Sequence, residues 1–395
     1  MKTIEKLSSY RTPYYLYDTE LLRATLESLT SEASRNPAFH VHYAIKANAN
    51  PLVLREIVKF GIGIDCVSGG EIETSISSGF AGSDIVFAGV GKSDWEIALG
   101  LENNIFSFNV ESIPELEVIN SIATNMHKIA NICLRINPDV DAHTHSHITT
   151  GKAENKFGIP KADMLKVIRL CHELPNINFR GLHFHIGSQI LDMEPFKELC
   201  ENINNIQAEL ESNGIHLEII NVGGGLGIDY NNPELNPIPD FKSYFSTFND
   251  NLKLREGQEV HFELGRAIVA QCGSLITKVL YVKEGELKDF VIVDGGMSEL
   301  IRPALYEAYH KIDNISLSQR IHLTDMAVRS DQKSVYDVVG PICESSDVFV
   351  KDYSMPTTHR GDLIAIRSAG AYGETMSSVY NCRPLPRSHS LSEIN

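Results

Sequence analysis

Short apolar runs recur along residues 40–266, and the stretches between them carry apolar residues at helical spacing. Asn50-Pro51, for example, is a typical helix start before PLVLREIVKFG, and Gly61 suits the end of that helix. The eight runs are HVHYAIKA (40–47), GIDCVS (63–68), IVFAGV (85–90), IFSFNV (105–110), ANICLRIN (130–137), FRGLHFHIGS (179–188), EIINVGGG (218–225) and EVHFELGR (259–266). Eight strand–helix repeats most simply close into a (β/α)8 barrel, so the pattern predicts an α/β, TIM-like barrel over residues 30–270.

The pattern changes after the eighth run. Residues 267–296 alternate in twos around a Lys-Glu-Gly-Glu turn, which is typical of a β-hairpin. Further β-like runs follow at 334–343, 345–353 and 362–372. We therefore expect a C-terminal antiparallel β-domain over residues 271–395. The segment TPYYLYD (12–18) can add a strand to it, so residues 1–29 are assigned to this second domain as well.

The composition narrows the class of protein. A net charge of −16 argues against nucleic acid or an anionic membrane as a partner. No apolar stretch approaches the roughly 20 residues that a membrane-spanning helix needs, and the N-terminal sequence lacks the apolar core of a signal peptide. The seven cysteines are odd in number and form no Cys-x-x-Cys pair, which is typical of reduced thiols. We expect a cytoplasmic protein.

Polar residues stand where the apolar runs end, and barrels of this kind carry their active sites at the carboxyl ends of the strands. Lys46 ends the first run. A lysine is rarely buried without a partner or a task. Desolvation would lower its pKa and make the amine a nucleophile suited to a Schiff base. The alternative is a lysine that extends to water at the rim of the barrel.

Three glycines, Gly223 to Gly225, end the seventh run. Backbone without side chains can approach a ligand closely, and its N–H groups can bind an anion. Barrel phosphate sites frequently lie after strands seven and eight. The turn therefore predicts a phosphate site, to which Ser188 after the sixth run can add a hydrogen bond. The alternative is a tight bend alone.

Glu263 and Arg266 lie in the last four residues of the eighth run, at the same end of the barrel. A buried carboxylate beside a pyridine ring would keep the ring nitrogen protonated, whereas the alternative is a local Glu263–Arg266 salt bridge. His185 after the sixth run can stack on a flat cofactor or be a core residue. An amine nucleophile, a phosphate site and a carboxylate for a ring nitrogen together predict pyridoxal 5′-phosphate as the cofactor.

A second group of polar residues lies in the long gap between the fifth and sixth runs, where residues 139–159 are expected to form an active-site loop. The group consists of Asp139, Asp141, His143, His145 and His147. It lacks the helical i, i+4 pair and the anchoring strands of a preorganised metal site. No metal is predicted.

Seven motifs in order identify a family. They are YAIKAN, HFHIGSQ, GGGLGIDY, ELGR, RPALY, GPICESSD and GAYG. With them the chain resembles, over almost its whole length, the alanine-racemase-like (fold type III) pyridoxal-phosphate-dependent decarboxylases. The resemblance is to those members that convert meso-2,6-diaminopimelate to L-lysine and CO2, the last step of lysine biosynthesis.

The resemblance implies roles for individual residues. Lys46 would form the Schiff base, and Cys343 would protonate the carbanion. The other cofactor-binding residues would be His185, Ser188, Gly224, Gly225, Glu263, Gly265, Arg266 and Tyr372. The substrate-binding residues would be Arg266, Arg302, Tyr306, Glu344 and Tyr372. In the family the Cys343–Glu344 pair comes from the neighbouring subunit, so a homodimer with shared active sites is implied.

The chemistry of the substrate agrees with these residues. The non-reacting end of meso-diaminopimelate carries a carboxylate and an ammonium, which Arg302 and Glu344 can pair with. Ornithine needs no arginine of this kind, and similar decarboxylases have Asp where this chain has Glu344. The alternatives are a related decarboxylase of ornithine, arginine or carboxynorspermidine, and a non-catalytic homologue.

Overall fold

The computed structural model describes residues 2–138, 156–317 and 333–393 of the 395-residue chain. The strands are β1 (Tyr14–Tyr17), β2 (Phe39–Ala44), β3 (Gly63–Cys66), β4 (Ile85–Phe87), β5 (Ser107–Val110), β6 (Ala130–Arg135), β7 (Ile177–His183), β8 (Ile219–Asn221), β9 (Glu259–Leu264), β10 (Gly273–Lys283), β11 (Asp289–Val293), β12 (Ile312–Asn314), β13 (Lys333–Val339), β14 (Val348–Pro356), β15 (Leu363–Ile366) and β16 (Arg387–Ser390). The helices are α1 (Lys2–Ser9), α2 (Thr19–Ala33), α3 (Pro51–Ile57), α4 (Gly69–Ser77), α5 (Asp94–Glu102), α6 (Ile113–Asn125), α7 (Met164–Glu173), α8 (Glu194–Ser212), α9 (Phe241–Asn251), α10 (Arg266–Val269) and α11 (Arg302–Tyr306).

Strands β2 to β9 form a closed parallel barrel, which confirms the predicted architecture. Each of the eight apolar runs overlaps one barrel strand, although β2 and β7 begin one and two residues before their runs. Closure is made by β9 and β2, which pair in parallel with His42 opposite Glu263. Because alternate residues of a strand face opposite sides, one set of side chains packs under the helices and the other fills the barrel.

The helix predicted after the first run has the expected ends. The side chain of Asn50 accepts a hydrogen bond from the Leu52 N–H at the start of α3, and Pro51 occupies the first turn. A short 3-10 turn then leads to Gly61, which has a φ of 64°. A residue with a Cβ adopts this left-handed conformation at a cost, which is why glycine suits this position.

The second domain is a mostly antiparallel sheet in which β12, β15, β10, β11, β13 and β14 are neighbours in that order. Strand β1 pairs antiparallel with β10 and parallel with β16, so the N-terminal segment is part of this sheet. The pair β11 and β13 is also parallel. Alternation along a single strand does not distinguish parallel from antiparallel partners, so these two parallel pairings were not predicted.

The N-terminal segment also connects the two domains. Asp18 follows β1 and caps α2 by accepting hydrogen bonds from the Glu20 and Leu21 N–H groups. Helix α2 runs across residue 30, the expected boundary, and Arg23 in it forms an ion pair with Glu56 of α3. Asn48 on the barrel side donates to the Tyr17 hydroxyl at 2.8 Å and to the Gly370 carbonyl at 2.7 Å. These buried hydrogen bonds hold the sheet over the barrel.

Among the described residues, no helix combines the length and apolar character needed to cross a membrane.

We expect Gly181→Ala to destabilise the barrel. A Cβ on Gly181 in β7 would lie 1.9 Å from the Ile219 carbonyl oxygen in β8, and backbone of a paired strand cannot move aside easily. The expected loss is about 3 kcal/mol in the free energy of unfolding, measured by urea denaturation. Gly70→Ala is the matched control, because its Cβ would meet nothing within 4 Å. Equal stability of the two variants would contradict the prediction.

Candidate active site

A cavity of about 510 Å³ opens at the carboxyl ends of the barrel strands, between the barrel and the second sheet. It brings together most of the residues that the sequence predicted for the site. These are Lys46, His185, Ser188, Gly225, Glu263, Gly265, Arg266, Arg302, Tyr306 and Tyr372. Gly224, Cys343 and Glu344 do not line it. The cavity also contains residues that sequence reasoning missed, among them Asp65 and Tyr230.

Lys46 lies in a 3-10 turn, Ile45–Ala47, immediately after β2. Its side chain is 40% exposed, its Nζ lies 3.3 Å from Oδ2 of Asp65, and Asp65 is completely buried. The expectation that desolvation lowers the pKa of Lys46 was wrong. Burial alone would lower it, but the negative charges around it, first that of Asp65, raise it above its usual value.

Asp65 is the main residue of the site that the sequence did not reveal. Burial, together with the nearby charge of Glu263, raises the pKa of its carboxyl group to about 8, although Lys46 acts in the opposite direction. Asp65 and Lys46 therefore titrate as a pair. The sequence did offer one signal, because Asp65 is an aspartate inside the otherwise apolar run GIDCVS. In the structure β3 pairs with β2, and Asp65 stands opposite Ala44, two residues before Lys46.

Glu263 is buried inside the barrel and accepts hydrogen bonds on both oxygens. Oε1 accepts from Asn109 at 2.9 Å and from Asn221 at 2.7 Å, and Oε2 lies 3.1 Å from Nε2 of His183. Burial alone would raise the pKa of Glu263, but the contact with His183, the positive charge of Lys46 and the hydrogen bond from Asn221 lower it below the ordinary value. Glu263 is therefore an ionised carboxylate in a dry place. The three donors lie on three different strands, so the sequence did not show that they meet.

The alternative of a Glu263–Arg266 salt bridge is not what the structure shows. Arg266 donates instead to the Tyr230 hydroxyl at 2.7 Å and to the Ser188 hydroxyl at 3.1 Å. Its guanidinium also lies 5.1 Å from the centre of the Tyr372 ring. The two residues thus face different parts of the cavity.

The glycine turn after β8 has the backbone that the sequence predicted. Gly223 and Gly225 have φ values of 68° and 123°, which side chains with a Cβ rarely allow. A Cβ on Gly224 would lie 2.0 Å from the carbonyl oxygen of Glu263, so the turn and β9 are in direct contact. Gly225 presents bare backbone to the cavity, which is the geometry that binds an anion.

His185 lines the cavity with a neutral ring. Burial, helped by the positive charge of Arg135, lowers its pKa well below the usual value. Its Nδ1 accepts the Gly224 N–H at 3.3 Å, which assigns the ring proton to Nε2. The ring is therefore oriented by the glycine turn, beside the bare backbone of Gly225.

Two arginines share one phenol oxygen on the side of the cavity formed by the second sheet. The hydroxyl of Tyr230 accepts from Nη1 of Arg266 at 2.7 Å and from Nη1 of Arg302 at 3.0 Å. Burial alone would raise the pKa of Tyr230, but the two guanidinium groups lower it. Tyr372 is held nearby in a left-handed conformation, and its N–H donates to the Ala47 carbonyl beside Lys46.

Cys343 and Glu344 are exposed on the surface of the second domain. The loop that carries them is fixed by the buried Asp347. Its two carboxylate oxygens accept hydrogen bonds at 2.7 Å from the N–H groups of Ile342 and Met297. The structure of one chain therefore presents the Cys343–Glu344 pair outward, and does not bring it to Lys46.

The expected active-site loop falls mainly on residues 139–155, which lie outside the described residues, as do Asp139, Asp141, His143, His145 and His147. Within the described part of the chain, no group of three or more His, Cys, Asp or Glu side chains is placed to hold a metal ion.

Comparison with known proteins agrees with this site. The sequence pattern of the pyridoxal-dependent decarboxylase, pyridoxal binding domain, matches residues 23–270. A diaminopimelate decarboxylase from Bacteroides thetaiotaomicron is 58% identical over 391 residues, which cover 99% of this chain and 98% of that protein. The chain belongs to the diaminopimelate decarboxylase family of pyridoxal-dependent enzymes.

More distant members of the family share the same extent and fold. The diaminopimelate decarboxylase of Vibrio cholerae is 42% identical over 95% of this chain and 87% of its own length. The crystal structure of the Helicobacter pylori diaminopimelate decarboxylase complexed with L-lysine superimposes with a TM-score of 0.89 at 40% identity. It covers 99% of this chain and 94% of that one. The barrel and the second domain therefore both belong to the family architecture.

We expect His183→Leu to lower the free energy of unfolding by about 3 kcal/mol, because it leaves Oε2 of the buried Glu263 without its donor. The pKa of Glu263 is lower in the folded protein than in the unfolded chain. The carboxylate therefore contributes stability above its unfolded pKa of about 4.3, and this stability is lost as the pH falls. In His183→Leu the carboxylate of Glu263 contributes less stability, so the free energy of unfolding should fall less between neutral pH and mild acid than it does in the unchanged protein.

The measurement is urea unfolding at several pH values between neutrality and mild acid. His183→Gln is the control, because its amide N–H can still donate to the carboxylate. If His183→Leu unfolds like the unchanged protein at every pH, His183 does not stabilise the charge of Glu263.

Proposed function

We propose that this chain catalyses the pyridoxal-phosphate-dependent decarboxylation of meso-2,6-diaminopimelate to L-lysine and CO2. The observation that carries the proposal is one cavity lined by the amine of Lys46, the glycine turn at Gly225, the buried carboxylate of Glu263 and the guanidinium of Arg302. The chain covers 98% of a relative named diaminopimelate decarboxylase, and a structure of such an enzyme holds L-lysine, the product.

The residues present fit the cofactor. Two buried polar atoms of cavity residues, Oδ1 of Asp65 and Nε of Arg266, have no hydrogen-bond partner among the described residues. Gly225 offers a cradle that a side chain would fill, since its Cβ would lie 3.0 Å from the Gly187 carbonyl oxygen. Ser188, Gly224, Gly225, Gly265 and Arg266 would hold the phosphate, and His185 and Tyr372 would contact the rest of the cofactor.

Bound pyridoxal 5′-phosphate supplies an electron-withdrawing ring that stabilises the negative charge left on Cα when CO2 departs. Glu263 would keep a proton on the ring nitrogen of the bound cofactor, because its carboxylate is buried and its pKa is lowered. Lys46 provides the amine that binds the cofactor covalently. Oδ2 of Asp65 accepts a hydrogen bond from that amine, with 3.3 Å between the nitrogen and the oxygen. Asp65 can therefore take up the proton when the amine acts as a nucleophile.

The distal end of the substrate selects diaminopimelate. Arg302, with Arg266 nearby, binds the distal carboxylate, and Tyr306 and Tyr372 line the same part of the cavity. Glu344 pairs with the distal ammonium. A substrate without the distal carboxylate, such as ornithine, would leave the buried charge of Arg302 unpaired, which is costly.

We further propose a homodimer in which each cavity is completed by Cys343 and Glu344 of the other subunit. Both residues are exposed in one chain and lie outside its cavity. Exposed apolar side chains occur at the cavity, where Leu191 is 62% exposed, and also near Glu344, where Tyr380 is 46% exposed and donates to its carboxylate. Burial of both patches in one interface would place Cys343 where it can deliver a proton to Cα.

The thiol chemistry supports a reducing compartment, and we propose the cytoplasm. All seven cysteines are among the described residues, and none forms a disulfide. Five of them are buried, and burial raises the pKa of the Cys66 and Cys272 thiols above its usual value, which keeps them protonated and unreactive.

The substrate is tested by CO2 release from a panel of amino acids with the purified holoenzyme. We expect meso-diaminopimelate to be decarboxylated, with L-lysine as the product, and ornithine, arginine and carboxynorspermidine to react at least about 100-fold more slowly. Lys46→Ala should abolish the reaction, and borohydride should fix the cofactor on Lys46. Lys59→Ala, on the surface, is the control. Faster turnover of another substrate, or a label on another lysine, would refute the proposal.

The shared site is tested by mixing two inactive variants, Lys46→Ala and Cys343→Ala. A mixed dimer has one site with both substitutions and one site with neither. After reversible dissociation, random pairing should restore about a quarter of the wild-type activity. Each variant alone, treated in the same way, is the control. No recovery in a mixture shown to contain mixed dimers would mean that each chain supplies its own Cys343.

A further inference from the structure

Arg302 is held by two neighbours through a single nitrogen. Its Nη1 donates to the Tyr230 hydroxyl at 3.0 Å and also to Nε2 of His310 at 2.8 Å. A guanidinium Nη carries two hydrogens, so both hydrogens of Nη1 are used within the protein. Helix α11 ends at Tyr306. Glu307, the next residue, has a left-handed φ of 53°, and the chain then returns so that His310 lies beside Arg302.

His310 can act here only as an acceptor. Its Nδ1 lies 2.8 Å from the carbonyl oxygen of Arg367, and a carbonyl accepts, so Nδ1 carries the ring proton. Nε2 therefore presents its lone pair to Arg302. Burial, together with the charge of Arg302, lowers the pKa of His310 to about 3, so the ring stays neutral over the physiological range. The ring of Tyr230 packs edge-on against His310 at 5.2 Å between centres.

The other edge of Arg302 remains available. Among the described residues, no group accepts a hydrogen bond from its Nε or Nη2, and the side chain lines the cavity. The Nε–Nη2 edge of a guanidinium binds a carboxylate through two parallel hydrogen bonds. Arg266 differs, because its Nη1 and Nη2 are engaged by Tyr230 and Ser188 and its Nε is buried.

We propose that His310 and Tyr230 are positioning residues that set substrate specificity. By occupying Nη1 of Arg302, they hold its Nε–Nη2 edge toward the cavity, where it binds the distal carboxylate of the substrate. Arg302 rather than Arg266 is then the carboxylate clamp. This inference rests on the proposed function, since it concerns how meso-diaminopimelate is distinguished from amino acids that lack a second carboxylate.

The test compares substrate kinetics with product binding in the holoenzyme. His310→Leu should raise the KM for meso-diaminopimelate about 10- to 100-fold, because a hydrogen bond to a charged group is lost and the clamp is no longer oriented. Binding energy lost equally from ground and transition states leaves kcat within about 3-fold. L-lysine keeps the carboxylate of the non-reacting end, so its dissociation constant, read from the cofactor absorbance, should rise in parallel with the KM. Cadaverine has no carboxylate, so its dissociation constant should change by less than about 2-fold.

Two conservative variants separate positioning from a general structural role. His310→Gln places an amide oxygen where Nε2 lies and should recover most of the lost KM. Tyr230→Phe keeps the ring but removes the shared acceptor, and should raise the KM about 10-fold. Tyr244→Phe is its matched control, because the Tyr244 hydroxyl is buried without a partner among the described residues. It should leave both KM and kcat unchanged.

An unchanged KM in His310→Leu, or an equal loss of affinity for cadaverine, overturns the positioning role. If His310→Leu does not fold, His310→Gln and Tyr230→Phe decide, and a wild-type KM in Tyr230→Phe overturns it. Turnover of meso-diaminopimelate by the unchanged enzyme is measured first. Its absence would refute the proposed function itself, whereas turnover with unaffected variants would refute only the inference about His310 and Tyr230.

Discussion

Glu263 is an ionised carboxylate enclosed in the barrel. The residues around it keep it ionised, and the rest of the site depends on this charge. A buried charge is tolerated only when it is paired and fully hydrogen-bonded. Three donors, Asn109, His183 and Asn221, meet this requirement from three different strands. Because the strands of a closed barrel converge, these donors reach one point that no open sheet would bring together. The chemistry proposed for the ring nitrogen depends on this arrangement.

The other charged groups of the cavity are held by different contacts. Lys46 is paired with Asp65, and the glycine turn is fixed against β9 by direct backbone contact. Arg266 and Arg302 both donate to the hydroxyl of Tyr230, and neither forms an ion pair with a carboxylate among the described residues. One region of the cavity therefore suits an anion and another suits a protonated ring nitrogen. A substrate that reacts at one end beside the ring and carries a carboxylate at the other end fits these two regions.

The second domain does more than cover the barrel. Buried hydrogen bonds from Asn48 to Tyr17 and Gly370 hold it in place, and the N-terminal strand joins its sheet before the chain enters the first barrel helix. It contributes Arg302, Tyr306 and Tyr372 to the cavity. It also displays Cys343 and Glu344 on a loop fixed by Asp347, facing away from the chain's own cavity. This is consistent with the proposed exchange of residues between two subunits.

The sequence by itself determined the barrel, the second sheet and most of the residues around the cavity. It could do so because eight apolar runs of strand length leave few ways to bury their side chains, and because polar residues at strand ends must meet at one rim. The order of motifs was enough to identify the family. Even the position of Gly61 at a helix end followed from local backbone preference.

Only the tertiary structure decided the pKa values of the site residues and the partners of the buried polar groups. Lys46 was expected to have a lowered pKa, and the structure raises it, because Asp65 from a neighbouring strand outweighs the effect of burial. His183 and Asn221 carry no local signal, since each acts on a residue far away in sequence. His310 is only eight residues from Arg302, but their contact depends on how the chain turns after α11. The parallel pairings of β1 with β16 and of β11 with β13 were unseen for the same reason. Patterns along a chain report which residues are buried, but the partner that each buried polar group finds depends on strands and loops that meet only after folding.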